Sequence, residues 1–161
     1  MARNKPRVQL ALYARPKHPG TYHYALFVTA KDNQGPTAKH HEESVIDDIE
    51  SEPRLLVRVK VAKVVANGER MQRVIDGVPV VKVKGDAEAS NTFSCVSWAQ
   101  DVFLELVTQK AVMAKYEGWD DLQRRAVEYV DRKREAGRWD GSWKDGGVPL
   151  VDLFTDTEII P

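Results

Sequence analysis

The sequence contains a single cysteine among its 161 residues, so an internal disulfide bond is excluded. The N-terminal segment Met1–Arg7 is basic and is not followed by the apolar run of roughly 7–15 residues that marks a secretory signal peptide. Disulfide-free proteins without such a signal are typical of reducing compartments. These two absences predict a cytoplasmic protein.

Net charge and long hydrophobic runs are also missing. The 24 Lys and Arg residues are balanced by 24 Asp and Glu residues, which leaves no positive field of the kind that nucleic-acid binding exploits. The longest apolar stretches are interrupted by charge, as in Leu55–Val61, and none reaches the length of a membrane span. We therefore expect a soluble protein with neither a nucleic-acid partner nor a membrane span.

The length of the chain is that of one ordinary domain, large enough to bury a core without a structural metal. No internal repeat divides the sequence. We expect a single domain over residues 1–161, with a core at about 8–110 and a C-terminal helix and packing tail at 111–161.

The N-terminal third has the pattern of a β-meander. Val8–Ala14 and Thr21–Thr29 are short runs rich in apolar, aromatic and β-branched residues, and proline and glycine separate them. Thr37–His41 has the composition of a possible third strand. Glu42–Glu52 fits either a short strand or an edge loop. The pattern predicts antiparallel pairing of the first two strands.

The middle of the chain changes from strand to helix signals. Arg54–Ala66 alternates in a way that predicts a long half-buried strand, and Glu69–Gly77 reads as a short helix with Met71 facing inward. Pro79–Val83 has the composition of another short strand. Residues 84–90 are polar and predict a surface loop.

Two longer helices follow, with apolar residues at helical spacing. The first is expected to begin near Asn91–Ser94, because Asn91, Thr92 and Ser94 are good N-cap types. Its apolar stripe contains Trp98, Val102 and Leu106. The second begins at Trp119 and ends at Gly137. Its expected apolar stripe consists of Trp119, Leu122, Ala126, Tyr129 and Val130. The tail after Gly137 is too apolar to be free, and we expect it to pack across the body.

Cys95 falls in the first turn of the first of these predicted helices. A thiol in that position interacts with the positive end of the helix dipole, which lowers its pKa below the free value of about 8.5 and favours the nucleophilic thiolate. The alternative is structural, because free cysteine is among the most buried residue types and Cys95 shares the apolar face of Trp98.

A nucleophilic cysteine needs a histidine to accept its proton and a third polar group to orient that histidine. The sequence offers His23 at the start of the second strand, and either His40 or His41 on the next extended segment. His40 and His41 point to opposite faces if that segment is extended, so only one of them can orient His23.

These residues give the chain a resemblance to the circularly permuted branch of the NlpC/P60 papain-like proteins, which includes lecithin:retinol acyltransferase-like enzymes. The resemblance covers roughly Val8–Val107. It rests on the histidine-led strand His23–Val28, on His40 as the second polar residue, and on Phe93–Trp98, in which Ser94 replaces the Asn common before the cysteine. The opening of the chain is also similar to a set of fungal proteins, a likeness that implies no activity.

The resemblance implies an α+β fold, in which an antiparallel sheet packs against the helix that carries Cys95 in a papain-like core, with an extra C-terminal helix and tail. It also implies a cysteine-dependent hydrolase or acyltransferase that works through a thioester acyl-enzyme, with Cys95, His23 and His40 as the catalytic set and His41 as the alternative third member. The substrate that it implies is a small-molecule or peptide acyl compound, and it implies no cofactor or metal.

Weaker candidates complete the predicted site. Tyr13 and Tyr22 are possible oxyanion donors, and Trp98 either packs in the core or walls an acyl pocket. Two other functions fit the same residues: a binding or scaffold module in which Cys95 and His23 are merely packed, and a Cys/His/His metal site. No ligand pair such as C-x₂-C supports the metal site.

Overall fold

The fold was analysed in a computed structural model, which describes residues 5–29, 38–39, 45–46, 54–78, 87–143 and 147–161; of residues 38–39, 45–46 and 87–96 it describes only the backbone. The strands are β1 (Arg7–Ala14), β2 (Tyr22–Thr29), β3 (Ala38–Lys39), β4 (Val45–Ile46), β5 (Leu55–Val64), β6 (Val112–Ala114), β7 (Leu150–Asp152) and β8 (Thr157–Ile160). The helices are α1 (Gly68–Asp76), α2 (Ala87–Thr108) and α3 (Trp119–Glu135).

All of the described strands belong to one mixed sheet with the order β4-β3-β2-β1-β5-β7-β8, and β6 pairs with β5 beside this path. Three strands form its centre. β1 pairs antiparallel with β2 from Arg7 opposite Thr29 to Ala14 opposite Tyr22, and it pairs antiparallel with β5 on its other edge. β7 is parallel to β5. The predicted antiparallel meander is confirmed for β1 and β2, and β3 lies within the predicted third strand.

The helices cover one face of this sheet and form the main core with it. Alternate residues of the central strands, including Leu10, Leu12, Tyr24, Leu26 and Val59, are buried in the same cluster as α2 and α3. The predicted apolar stripe of α3 is confirmed, because Trp119, Leu122, Ala126, Tyr129 and Val130 are all buried. The rings of Tyr24 and Phe103 lie 6.1 Å from the Trp119 ring, measured between centroids.

The other face of the sheet is also buried, and much of it is polar. Gln9, Thr29, Arg58 and Lys60 are all buried on this side. The Gln9 amide donates to Thr29 Oγ1 over 3.2 Å, and an Arg58 nitrogen donates to Gln9 Oε1 over 3.5 Å. The expectation that β5 is a half-buried strand is therefore wrong, since both of its faces are covered.

The C-terminal segment joins the sheet as well as packing on the body. Tyr129 donates its hydroxyl hydrogen to Glu158 Oε2 over 2.7 Å, and Lys133 Nζ lies 2.6 Å from the same oxygen. These contacts fasten β8 to α3, and β7 fills the edge of β5. Leu150, Val151 and Leu153 of the segment predicted as a packing tail are buried, whereas the three short strands β6, β7 and β8 were not predicted from the sequence.

At the coarse level the predicted α+β class, with a largely antiparallel sheet packed on helices, is confirmed. The helix predicted at 69–77 is present as α1, with Asn67 as its N-cap and Gly77 as its C-cap. The predicted loop at 84–90 is wrong from Ala87 onward, because α2 begins there. The predicted strand at 79–83, and Glu42–Glu52 apart from β4, lie outside the described residues.

Candidate functional site

His23 lies near the start of β2, directly opposite Tyr13 of β1. Its neighbours in alternation, Ala25 and Phe27, are buried in a small cluster against which Tyr13 packs. Tyr22 and Tyr24 instead contribute to the core under the helices. Because side chains alternate along a strand, the imidazole of His23 faces away from α2.

The environment of His23 disfavours its protonated form. Burial is the largest cause that lowers the pKa of the imidazole below its ordinary value, and the positive charges of Arg15 and Arg54 lower it further. A neutral imidazole can accept a proton, which suits a general base. The imidazole therefore stays neutral to a lower pH than an ordinary histidine, and it lies on the side of the sheet opposite the helices.

Cys95 lies well inside α2, which corrects its predicted place in a first turn. The helix begins at Ala87, so two turns precede the cysteine, and backbone N–H groups inside a helix are bonded to carbonyl oxygens four residues earlier. The positive end of the helix dipole acts mainly within the first turn. The helix dipole therefore gives no reason to expect a lowered pKa of the Cys95 thiol. The side chain of Cys95 lies outside the described residues.

The other predicted site residues are distributed over several places. His40 and His41 lie outside the described residues. Tyr13 is partly buried on the His23 face, whereas Tyr22 is buried on the helix face. Trp98 is buried on α2. The structure thus brings His23 and Tyr13 together and separates both of them from Trp98, so no described pair of predicted residues forms a base and nucleophile.

Trp98 lines an apolar cavity of about 470 Å³ at one end of the central strands. Here β1 begins and β2 and β5 end, and the helices α1 and α2 close over them. The apolar wall comes from all five elements and the turns next to them: Pro6, Val8, Leu26, Val28, Val64, Ala66, Met71, Ile75, Trp98, Val102 and Leu106. The prediction that Trp98 belongs to the core is confirmed, and the same indole also faces this cavity.

Two amide side chains, Asn67 and Gln72, are the polar groups among the cavity-lining residues that the structure describes. Asn67 is also the N-cap of α1, and its Oδ1 accepts a hydrogen bond from the Arg70 backbone N–H over 2.8 Å. Gln72 donates its amide to Asp76 Oδ1 over 2.9 Å. An apolar wall with a few amides at one side is the usual composition of a small-molecule pocket.

Sequence reasoning missed this cavity because its wall is assembled from residues far apart in the chain. Val8, Val28 and Val64 are ordinary strand valines, and only the cross-strand register places them at a common end. The sequence feature that could have indicated the cavity was the helical stripe of apolar residues that begins at Trp98. The described residues contain no group of three or more His, Cys, Asp or Glu that could hold a metal ion. No described helix is long and apolar enough to cross a membrane.

Comparison with known proteins gives one match. Residues 5–160 match the model of a family of unknown function, DUF6914. No curated protein matches the chain, and no solved structure does. Nothing in these comparisons links the chain to NlpC/P60 proteins, so that resemblance stays a prediction. Since the match extends over nearly the whole sequence, the chain belongs to the DUF6914 family.

Proposed function

We propose that the protein is a binding module for a small apolar ligand, held in the cavity between α1, α2 and the end of the sheet. The observation that carries this proposal is the cavity itself, whose volume of about 470 Å³ falls in the ordinary range of ligand pockets. Its wall is built largely from aliphatic side chains and the Trp98 indole. Such a wall selects a ligand by the apolar surface that it removes from water.

The shape of the wall favours a flexible hydrocarbon chain over a rigid polar molecule. Met71 offers an adaptable apolar contact, and Leu26 and Trp98 line the same cavity. Asn67 and Gln72 are placed to hydrogen-bond one polar head group, because an amide both donates and accepts. A medium-length fatty acid combines these features, with its chain among the apolar residues and its carboxylate beside the amides.

The direct test is titration with dodecanoate, followed by displacement of a fluorescent fatty acid. Val28→Trp inserts a large ring from β2 into the cavity and should weaken binding by at least about tenfold, because it occupies the ligand's space. Val65→Trp is the matched control. Val65 is exposed, and it lies between the cavity residues Val64 and Ala66 without lining the cavity itself.

The control variant should bind dodecanoate as the unaltered protein does. Circular dichroism and urea unfolding of both variants separate a blocked cavity from a misfolded chain. If dodecanoate does not saturate the protein, or if the two tryptophan variants bind it equally well, the proposal is contradicted.

A second candidate is the cysteine-dependent acyl transfer implied by the NlpC/P60 resemblance. The observation in its favour is that Trp98 lines the cavity, while Cys95 precedes it by less than one helical turn in α2. In this candidate the thiolate sulfur attacks the carbonyl carbon of an acyl compound held in the cavity. A thioester forms as the leaving group departs, and water or an acceptor then releases the acyl group.

This candidate is tested by incubation with activated acyl esters and intact mass measurement. A single acyl adduct that is absent from Cys95→Ala supports it, and an unmodified protein counts against it. His23→Ala tests the base separately. Because His23 faces away from α2, we expect this variant to leave the apparent pKa of Cys95 alkylation unchanged. A raised thiol pKa would instead restore His23 as the base.

A further inference from the structure

A second cavity lies at the opposite end of the same three strands. It also measures about 470 Å³, and it is lined by the loop between β1 and β2, the start of β5 and the end of α3. Tyr22 and Leu56 line it where β2 and β5 begin. This cavity takes no part in the apolar site proposed above.

Two arginines, Arg15 and Arg134, are among its lining residues. Arg15, in the loop, donates from one terminal nitrogen to Thr21 Oγ1 over 3.0 Å, and Thr21 in turn donates to the His18 carbonyl oxygen over 2.7 Å. These bonds fix the direction of the Arg15 side chain. Among the described residues no carboxylate lies within ion-pair distance of Arg15, whereas Arg134 makes one solvent-exposed pair with Asp131 at 3.3 Å.

The exposed pair leaves Arg134 available to a ligand, because ion pairs between exposed side chains contribute little free energy. The described lining residues of this cavity include both arginines and no acidic residue. A planar guanidinium offers parallel N–H groups that match phosphate or carboxylate oxygens. Two such groups on one cavity create a local preference for an anion.

An aromatic ring completes the wall. Trp139 follows the end of α3 and is 37% exposed, although most tryptophans are largely buried. Trp139 lines the same cavity as the two arginines, and an exposed indole provides a surface on which a planar ring can stack. The cavity lining therefore contains both cationic and aromatic side chains.

The neighbourhood adds further positive charge. His23 is close enough to Arg15 and Arg54 for their charges to lower its pKa, after the larger effect of burial. Arg54 holds a left-handed backbone conformation, with φ at 71°, just before β5. The loops that join the central strands therefore place several positively charged side chains at this end of the sheet.

We infer that this cavity binds a small phosphorylated molecule with a planar ring, of the mononucleotide kind, with its phosphate held by Arg15 and Arg134 and its ring against Trp139. The inference does not depend on the apolar ligand proposed above. The two parts of the inference can be tested separately, since the arginines bind the phosphate and the tryptophan stacks on the ring.

The test is calorimetric titration with adenosine 5′-monophosphate, adenosine and inorganic phosphate. The monophosphate should bind with a Kd below about 1 mM, and adenosine and phosphate should each bind at least about tenfold more weakly. Arg134→Gln and Arg15→Gln should each weaken binding of the monophosphate by roughly tenfold, because each removes charge-assisted hydrogen bonds. Trp139→Ala should weaken it by about fivefold or more.

Arg124→Gln is the matched control for Arg134→Gln. Both arginines are on the exposed side of α3, with side-chain exposures of 56% and 54%, and each pairs with an aspartate three residues earlier. Arg124 does not line the cavity. Arg124→Gln should therefore bind the monophosphate with the same affinity as the unaltered protein. If it weakens binding as much as Arg134→Gln does, the inference is overturned, because the effect is then one of general electrostatic attraction.

Two other results also overturn it. One is the absence of saturable binding of the monophosphate, and the other is equal affinity for adenosine, which removes the role of the anion. Equal affinity for inorganic phosphate, or an unchanged Kd in Trp139→Ala, rejects the ring-binding part. Circular dichroism of each variant confirms that it is folded, since all of these side chains except Arg15 are exposed and Arg15 lies in a loop.

Discussion

The two ends of the central strands differ in chemistry although they belong to the same sheet. At the end where β1 begins, the described cavity wall is apolar apart from Asn67 and Gln72. At the end where β1 finishes, Arg15 and Arg134 line the cavity, and Arg54 and His23 lie near Arg15. We call these the apolar end and the cationic end.

The difference comes from what closes each end. Helices α1 and α2 pack over the apolar end, and their inward faces must be apolar to remain buried. The cationic end is closed by loops and by the last turn of α3, which carries basic residues where the negative end of a helix dipole favours them. One sheet therefore carries two cavities of different chemistry, because its register gathers strand ends at both sides.

The largest expected effect is from a charge placed at the apolar end. Leu26 is buried on β2 and lines the cavity, so Leu26→Lys puts an ammonium group where the described wall offers no carboxylate. We expect the free energy of unfolding to fall by about 4 kcal/mol, because an uncompensated buried charge is strongly destabilising. Urea unfolding measures this loss.

The matched control is Val65→Lys, at the same end but exposed to solvent. It should change stability by no more than about 0.5 kcal/mol. A loss below about 1 kcal/mol in Leu26→Lys would mean that water reaches the apolar end, and the contrast between the ends would then disappear.

A smaller effect is expected at Asn67, which both caps α1 and lines the apolar cavity. Asn67→Ala removes the acceptor of the Arg70 N–H and should cost about 1 kcal/mol of stability. Asn67→Asp keeps an oxygen acceptor at the cap and should retain most of the stability. Thermal unfolding of the two variants gives the comparison, and equal losses would show that capping is not the main role of Asn67.

Arg134 at the cationic end should contribute still less to stability. Its pair with Asp131 is exposed, so Arg134→Gln should change the free energy of unfolding by no more than about 0.5 kcal/mol. Arg124→Gln should behave in the same way in this measurement. A stability loss of several kcal/mol in Arg134→Gln alone would assign the guanidinium a structural role in place of ligand binding.

The smallest effect concerns pH. The folded protein holds the pKa of His23 below the value of 6.5 expected in the unfolded chain. Between those two pKa values the unfolded chain binds more protons, so stability decreases as pH falls from about 6.5 through the folded-state pKa. The decrease is small because His23 is only partly buried. His23→Gln should abolish this share of the pH dependence.

The pKa of His23 also measures the electrostatic effect of the charges at the cationic end. Arg15→Gln removes one of the two charges that lower the pKa of His23, so that pKa should rise, while the larger effect of burial remains. Titration of the imidazole C–H resonance by NMR measures the change. An unaltered pKa would show that the charge of Arg15 does not reach His23.

Local patterns in the sequence predicted much of the fold. The stripe of α3, the capped helix α1 and the strand β5 each rest on residues close together in the chain. The polar face of β5 was misjudged, because alternation reveals which residues share a face and not whether another layer covers it. Strands as short as β6 and β7 carry too few residues for a periodic signal.

The predicted site depended on relations that the sequence does not contain. Placing Cys95 at a helix start relied on the capping residues Asn91–Ser94, but the helix begins at Ala87, where Ala87, Glu88 and Ala89 are good helix formers, and continues through the capping types. Placing His23 opposite that helix required knowing which face of β2 it occupies. That face is decided by the burial of Tyr22 and Tyr24, whose aromatic rings pack under the helices.

The parallel pairing of β7 with β5 has a consequence for synthesis of the chain. β5 is a central strand, yet the residues that pair with Arg58, Val59 and Lys60 on one edge are Leu150, Val151 and Asp152. All three helices are translated between them. On the ribosome the Arg58–Lys60 part of this edge therefore lacks its β7 partner until the C-terminal segment emerges, which is an interval in which unpaired edges lead to misassembly.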